Sequence, residues 1–300
     1  MTVKPMRIAI VGAEGRMGRA VIKALLTIPW LKPHIILQEA ITRHISDRLG
    51  EDIGLMAGEE EIGVALSDDP VSALQNVDGV IDFSSPGNTI TIAQLCAERN
   101  LVHVIGTTGF SKKDETEIRV AALNGACIVK SANMSIGINL LSIVSKIAAR
   151  ALPSTHWDVE IFEMHHRHKV DTPSGTALLL GQAVAEGRNI SLHDNSALLR
   201  TSESGPRKEG SIGFATLRGG SVVGKHSVIM AGENETITFS HSATDRSVFA
   251  NGAITAALWA HSQPPGIYSM IDVLGLRGLV PEGTEEKNEW FTGIGASWSK

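Results

Sequence analysis

Residues Arg7 to Leu26 read RIAIVGAEGRMGRAVIKALL, and this stretch decides the fold. RIAIV (Arg7 to Val11) is a short continuous apolar run, the pattern of a strand buried on both faces. MGRAVIKALL (Met17 to Leu26) carries apolar residues at helical spacing. Between them VGAEGRMGR sets Gly12, Gly15 and Gly18 at the passage from strand to helix. Glycines there let a dinucleotide pyrophosphate approach the backbone, and the helix start offers N–H groups to its charge. The spacing is G-x-x-G-x-x-G, with Glu14 where the commoner fingerprint has glycine. A turn of this kind also occurs without a ligand. Its place at the head of an alternating chain favours the cofactor reading.

The alternation continues to Lys130. IILQEAI (Ile35 to Ile41), GVIDF (Gly79 to Phe83), HVIG (His103 to Gly106) and CIVK (Cys127 to Lys130) read as further strands. Helices are expected near Thr89 to Arg99 and Lys112 to Asn124. Apolar strands alternating with helices indicate a parallel sheet covered on both faces. After SANMS (Ser131 to Ser135) the spacing predicts a long helix over Ile136 to Leu152.

The pattern then changes. WDVEIFEMH (Trp157 to His165) alternates like a strand with one wet face. Gly213 to His241 reads as an antiparallel meander with Gly and Asn turns. The polar stretch Asn189 to Gly210 is expected to be a mobile surface loop. FANGAITAALWA (Phe249 to Ala260) is helical and suits a return to the first domain. The tail Arg277 to Lys300 has no clear period. The fold class is therefore α/β: a Rossmann-type parallel sheet domain plus a second α+β domain with an open mixed or antiparallel sheet. The dinucleotide-binding domain takes residues 1–134 and is completed by about 246–300. A substrate-binding and oligomerisation domain takes 135–245.

Composition bounds the function. The 300 residues carry a net charge of -5, which argues against a broad nucleic-acid surface. A hydrophobic fraction of 43% is ample for a core, and aromatics at 4% leave that core to Val, Ile, Leu and Ala. No apolar run is long enough to span a bilayer, and no signal-peptide region precedes Arg7. The two cysteines, Cys96 and Cys127, read as reduced core residues of a cytoplasmic protein.

Sites follow from the strand ends. A carboxylate commonly closes the second strand of an NAD site to hold the ribose hydroxyls. Here Thr42 and Arg43 follow Ile41, and Glu39, the nearest acid in sequence, sits inside the strand. A hydroxyl plus a guanidinium suits a 2′-phosphate, so NADPH is the expected donor, with NADH possible. GTTGF (Gly106 to Phe110) and SANMS follow later strands on the same cofactor edge, and each strengthens the other.

EMHHRHKVDTPSGTA (Glu163 to Ala177) is the densest chemistry in the chain. His165 to Lys169 holds five cationic or titratable side chains next to a helix start. A metal site would use His165, His166 and His168, yet neighbours on a strand point to opposite faces and no ligand-spaced cluster accompanies them. A surface patch leaves dense like charge without a partner. An anion site with a proton donor explains more: His165 or Lys169 supplies a proton, while His166 and Lys169 hold a carboxylate. Pro173 suits the first helical turn, and Gly175 and Thr176 are expected to offer helix-start N–H groups to the same anion. Asp171 either balances the charge or helps cap the helix.

Over roughly Arg7 to Leu276 the chain resembles the 4-hydroxy-tetrahydrodipicolinate (dihydrodipicolinate) reductases of the diaminopimelate and lysine pathway. The matching motifs are VGAEGRMGR, VIDFSSP (Val80 to Pro86), GTTGF, SANMSIGIN (Ser131 to Asn139), EMHHRHKVDTPSGTA, GKH (Gly224 to His226), FANGAITAALW (Phe249 to Trp259) and IYSMIDVLGL (Ile267 to Leu276). The resemblance implies NAD(P)H-dependent reduction of a small dicarboxylate by a homotetramer. It implies a proton donor or acceptor at His165, a proton donor at Lys169, and substrate contacts at His166, Gly175 and Thr176. It implies cofactor contacts at Gly12, Ala13, Glu14, Gly15, Arg16 and Met17. Further cofactor contacts are implied at Gly106, Thr107 and Thr108, and at Ala132, Asn133, Met134 and Ser135; no metal is implied. Many members carry an acid before the arginine where this chain has Thr42, which favours NADPH here. Two other readings stand beside this one: a reductase of another small dicarboxylate imine, and a non-catalytic NADPH-binding regulator. The regulator has no need of the His–Lys cluster.

Overall fold

The architecture comes from a computed structural model that describes residues 4–202 and 204–279. The chain starts with β1 (Met6–Val11), α1 (Arg16–Thr27), β2 (Ile35–Ile41), α2 (Ile53–Met56), β3 (Leu66–Ser67) and α3 (Pro70–Ala73). It continues through β4 (Gly79–Asp82), α4 (Pro86–Arg99), β5 (Val102–Ile105), α5 (Lys112–Leu123), β6 (Cys127–Lys130) and α6 (Ile136–Ala151). Then come β7 (Asp158–His165), α7 (Gly175–Gly187), α8 (Leu192–Asn195), β8 (Ser196–Ala197), β9 (Ile212–Arg218), β10 (Gly224–Ala231) and β11 (Thr236–Ala243). The last elements are α9 (Ser247–Ala260), β12 (Gly266–Tyr268), α10 (Met270–Val273) and a 3₁₀ turn at Arg277–Leu279. The rest of the tail, from residue 280, lies outside the described residues, as do residues 1–3.

Two compact units result. One holds residues 4–136 and 246–275; the other is built mainly from 137–245. In the first, seven strands run parallel in the order β12-β6-β5-β4-β1-β2-β3. The order reverses at β1, which lies between β2 and β4, the doubly wound arrangement. Period-2 alternation divides β1 between two cores. Met6, Ile8 and Ile10 pack with Val21, Ile22 and Leu25 of α1 and Ala253 and Ile254 of α9. Ala9 and Val11 pack with Ile92 and Cys96 of α4 and Ile118 of α5. Both cysteines are free and buried, and burial pushes the Cys127 thiol up to about 11 and Cys96 higher still.

The second unit corrects one expectation. Its sheet runs β11-β10-β7-β9-β8, so Gly213 to His241 is not a continuous meander. Only β10 and β11 form a consecutive antiparallel hairpin. The strand β9 lies on the other side of β7 and parallel to it, while β10 is antiparallel to β7. The cause is a crossover: parallel neighbours need a long connection, and α7 supplies it between β7 and β9. Gly181 lets α7 sit close on the sheet, since a Cβ there would lie 2.6 Å from the Phe214 ring. The stretch Asn189 to Gly210 is not all loop either. It contains α8 and β8, and Arg200 and Arg207 tie it to Glu160 and Asp158 of β7.

Candidate active site

In the first unit the glycine loop, Thr42–Arg43, GTTGF and SANMS follow β1, β2, β5 and β6. These strands are parallel, so all four segments lie on one edge of the sheet. Gly12 has φ +78°, and a Cβ there would lie 2.6 Å from the Phe83 carbonyl oxygen. A Cβ at Gly106 would lie 2.1 Å from the Phe83 ring. Both glycines are therefore required for two loops to close on Phe83. Gly15 is the N-cap of α1, with no side-chain cap and no acid in the first turn. The helix start thus keeps its N–H groups for an anion, which is what a pyrophosphate needs.

Other bonds hold the edge in shape. Buried Asp82 accepts the Ser84 N–H at 2.9 Å, and Thr107 Oγ1 accepts the same N–H at 3.0 Å. Asn133 Oδ1 accepts the Ser135 N–H at 2.8 Å. Gly252 brings α9 against the Met134 carbonyl, where a Cβ would stand 1.7 Å away. Thr42 donates its hydroxyl to Glu14 Oε2 at 2.6 Å. That bond, with Ser46, Arg43 and Arg48 near, holds the Glu14 carboxyl below its usual range.

In the second unit β7 carries the centre. Alternation puts Glu163 and His165 on the same buried face, 1% and 8% exposed. Glu163 Oε2 lies 2.6 Å from His165 Nδ1. Its two oxygens also accept both terminal nitrogens of Arg218, at 2.8 and 2.9 Å, and the Ser174 N–H at 3.0 Å. Burial alone would raise Glu163; His165, Arg218 and the Ser174 N–H overcome it and hold the carboxyl at about 2. An ionised carboxylate only accepts, so His165 Nδ1 carries the proton and Nε2 is the other end of the ring. Gly224 leaves that end clear, since a Cβ there would stand 3.1 Å from His165 Nε2.

His226, 4% exposed, lies edge-on to His165 with ring centroids 5.0 Å apart. Its Nε2 is 3.2 Å from Ser174 Oγ, which also accepts the Ala177 N–H and caps α7. Burial, then the neighbouring His165, pushes His226 down to about 3, so its ring stays neutral.

The connection from β7 to α7 holds the remaining groups. Lys169 Nζ donates to Asp171 Oδ1 at 2.7 Å. Burial works against the Asp171 carboxylate, but Lys169 and nearby backbone N–H groups, Gly175 among them, hold its pKa below the usual range. Asp171 therefore balances the Lys169 charge and also accepts at the helix start, while Ser174 is the N-cap. Pro173 stands outside the helix, one residue before that cap. Gly175 is exposed, with open space where a Cβ would point, and Thr176 follows it at the first turn. His166 is half-buried and its ring lies 6.3 Å from that of His168. Among the described residues no His, Cys, Asp or Glu group is arranged to hold a metal.

Sequence reasoning gave Glu163, Ser174, Arg218 and His226 no role. The i, i+2 relation on β7 was the available signal for Glu163. Arg218 has no local signal; it arrives because β9 pairs with β7 in a register that sets it opposite His165.

A doubly wound sheet with a glycine-loop edge, followed by a unit with a carboxylate-held histidine and a lysine, defines an NAD(P)-dependent oxidoreductase. Comparison with known proteins narrows the class. The family model described as dihydrodipicolinate reductase, N-terminus, matches residues 6–134, and its C-terminus counterpart matches 137–274. A 4-hydroxy-tetrahydrodipicolinate reductase of Sinorhizobium medicae is 55% identical over 276 residues, 92% of this chain and 100% of that one. One of Brucella abortus is 55% identical over 271 residues, 90% and 99% of the two chains. A dipicolinate-bound dihydrodipicolinate reductase from Paenisporosarcina sp. TG-14 shares the fold, with a TM-score of 0.70 at 23% identity over 89% and 98%. The chain belongs to the dihydrodipicolinate reductase family.

Proposed function

We propose that this chain reduces 4-hydroxy-tetrahydrodipicolinate to tetrahydrodipicolinate in diaminopimelate and lysine biosynthesis. The carrying observation is the His165–Glu163–Arg218 arrangement beside Lys169 and the open start of α7. A bound nicotinamide supplies the hydride, with NADPH preferred and NADH accepted. Gly12 to Met17, Gly106 to Thr108, Ala132 to Ser135 and Arg43 hold it. The glycine cradle and the uncapped start of α1 support that assignment.

The protein's own groups manage charge and protons. Lys169, His166 and the N–H groups of Gly175 and Thr176 grip a substrate carboxylate. Asp171 already draws on Lys169 and Gly175 as such a carboxylate would. After hydride addition, a proton reaches the neighbouring carbon from His165 or Lys169. Water leaves in the overall reaction, and each turnover takes up one proton.

We assign the second unit to homotetramer assembly in the cytoplasm. The support is the sheet face opposite the buried one, which presents Phe162, Met164 and Ile229 half-buried and Leu217 half-exposed. Among the described residues no helix is long and apolar enough to cross a membrane. The deciding assay follows NADPH absorbance with 4-hydroxy-tetrahydrodipicolinate generated in situ. Loss of NADPH that needs this substrate supports the function, and loss without it does not. Light scattering that returns a stable monomer overturns the assembly.

A further inference from the structure

We infer that Glu14 is this chain's ribose-recognising acid, supplied by the glycine loop because the second strand ends without one. Doubly wound sites place a carboxylate at that strand end to accept from the ribose hydroxyls. Here the residue after β2 is Thr42, which has no charge. Its hydroxyl instead holds Glu14 Oε2 at 2.6 Å across 28 residues of sequence. The loop is anchored to the same place by its backbone, since Gly12 N and Ala13 N both donate to the Ile41 carbonyl. The acid therefore stands at the end of β2 in space, though it comes from the end of β1 in sequence.

The surroundings keep that carboxylate charged and aimed. Ser46, Arg43 and Arg48 lie near it and favour the ionised form. Glu39, the nearest acid in sequence, lies within β2, and burial raises its pKa. The result is a mixed-charge seat. A free ribose donates its 2′-hydroxyl to Glu14, whereas a 2′-phosphate meets the guanidinium of Arg43 but also the repulsion of Glu14. Glu14 thus admits NADH to a site that Arg43 otherwise biases to NADPH.

This inference rests on the nicotinamide-dependent reading of the same edge. Direct titration of NADH and NADPH by fluorescence, without substrate, separates the two. For Glu14→Gln the ratio of Kd for NADH to Kd for NADPH rises about tenfold or more, the size of a lost charge-assisted hydrogen bond. Thr42→Val, which releases the carboxylate from its anchor, shifts the ratio the same way by a smaller factor. An unchanged ratio in Glu14→Gln, or equal weakening of both cofactors, overturns the role of Glu14 and leaves the reductase reading standing. Failure of the unmodified protein to bind either cofactor overturns both.

Discussion

Glu163 and His165 stand two residues apart on β7, share its buried face and meet at 2.6 Å through Oε2 and Nδ1. The pairing fixes the histidine tautomer and leaves Nε2 without that carboxylate. Arg218 keeps the carboxylate ionised by binding both of its oxygens. Glu163 is thus a positioning residue, and His165 is the group it positions.

Replacing Glu163 with Gln removes that hold and leaves the half-buried Arg218 against a neutral amide. The expected stability loss is about 3 kcal/mol, as for breaking a buried pair, read by urea denaturation near neutral pH. The kcat falls about tenfold or more, while KM moves less, because the tautomer and not the substrate grip is disturbed. The pH dependence has a definite sign. The folded value of about 2 lies below the ordinary 4.5. The stabilisation is present above 4.5 and is lost as pH falls through 2. The Gln variant lacks this acid-side loss.

His226 contributes to acid sensitivity in a higher window. Burial and His165 hold it at about 3 against an ordinary 6.5. The unfolded chain therefore takes up a proton that the folded chain refuses as pH drops below 6.5. Between neutrality and about pH 5 this costs up to about 2 kcal/mol. Replacing His226 with Asn should flatten stability over that interval, as measured by denaturation at stepped pH. An unflattened profile means the ring charges freely in the folded protein.

Cofactor preference is tested at Arg43. Its guanidinium stands at the end of β2 beside Glu14 and suits a 2′-phosphate. The unmodified protein should show the higher kcat/KM with NADPH. Arg43→Ala should cut the NADPH advantage about tenfold, the worth of one charge-assisted contact. A preference for NADH in the unmodified protein contradicts the assignment.

How far such a site can be read from sequence depends on where its parts come from. The glycine loop lies within one strand–helix turn, and the first sheet announces itself through continuous apolar strands. The range expected for β2, Ile35–Ile41, and that for β6, Cys127–Lys130, are the ranges observed. The second sheet was less legible. Its β7–α7–β9 crossover is hidden by the polar stretch between α7 and β9, which disguises a parallel connection as a loop. The His–Lys run is local and visible, but its supports are not. Arg218 reaches Glu163 from 55 residues away, and Ser174 meets His226 across 52. Thr42 and Glu14 are likewise neighbours only in the fold. Periodicity reports which face a residue occupies; it does not report which strand will lie beside it.

The last prediction separates proton delivery from substrate grip. His165 is held at the end of β7 by a buried carboxylate on Nδ1, with Nε2 at the other end of the ring. Lys169 lies in the connection between β7 and α7, more accessible, and is paired with Asp171. A substrate carboxylate can take over from Asp171 on Lys169 and on the Gly175 N–H. On the proposed assignment Lys169 is therefore expected to contribute to binding as well as to any proton transfer, and His165 to act on the proton alone. A group used only in the transition state lowers kcat with little change in KM; a gripping group raises KM too. The expected result is that His165→Gln lowers kcat by about 100-fold or more at nearly constant KM. Lys169→Ala lowers kcat and raises KM about tenfold or more, as for a lost hydrogen bond to a charged group. A direct NADPH titration should show near-normal affinity in both variants, since both residues lie outside the first unit. Near-normal kcat in His165→Gln would move the acid to Lys169 or to a water it orients.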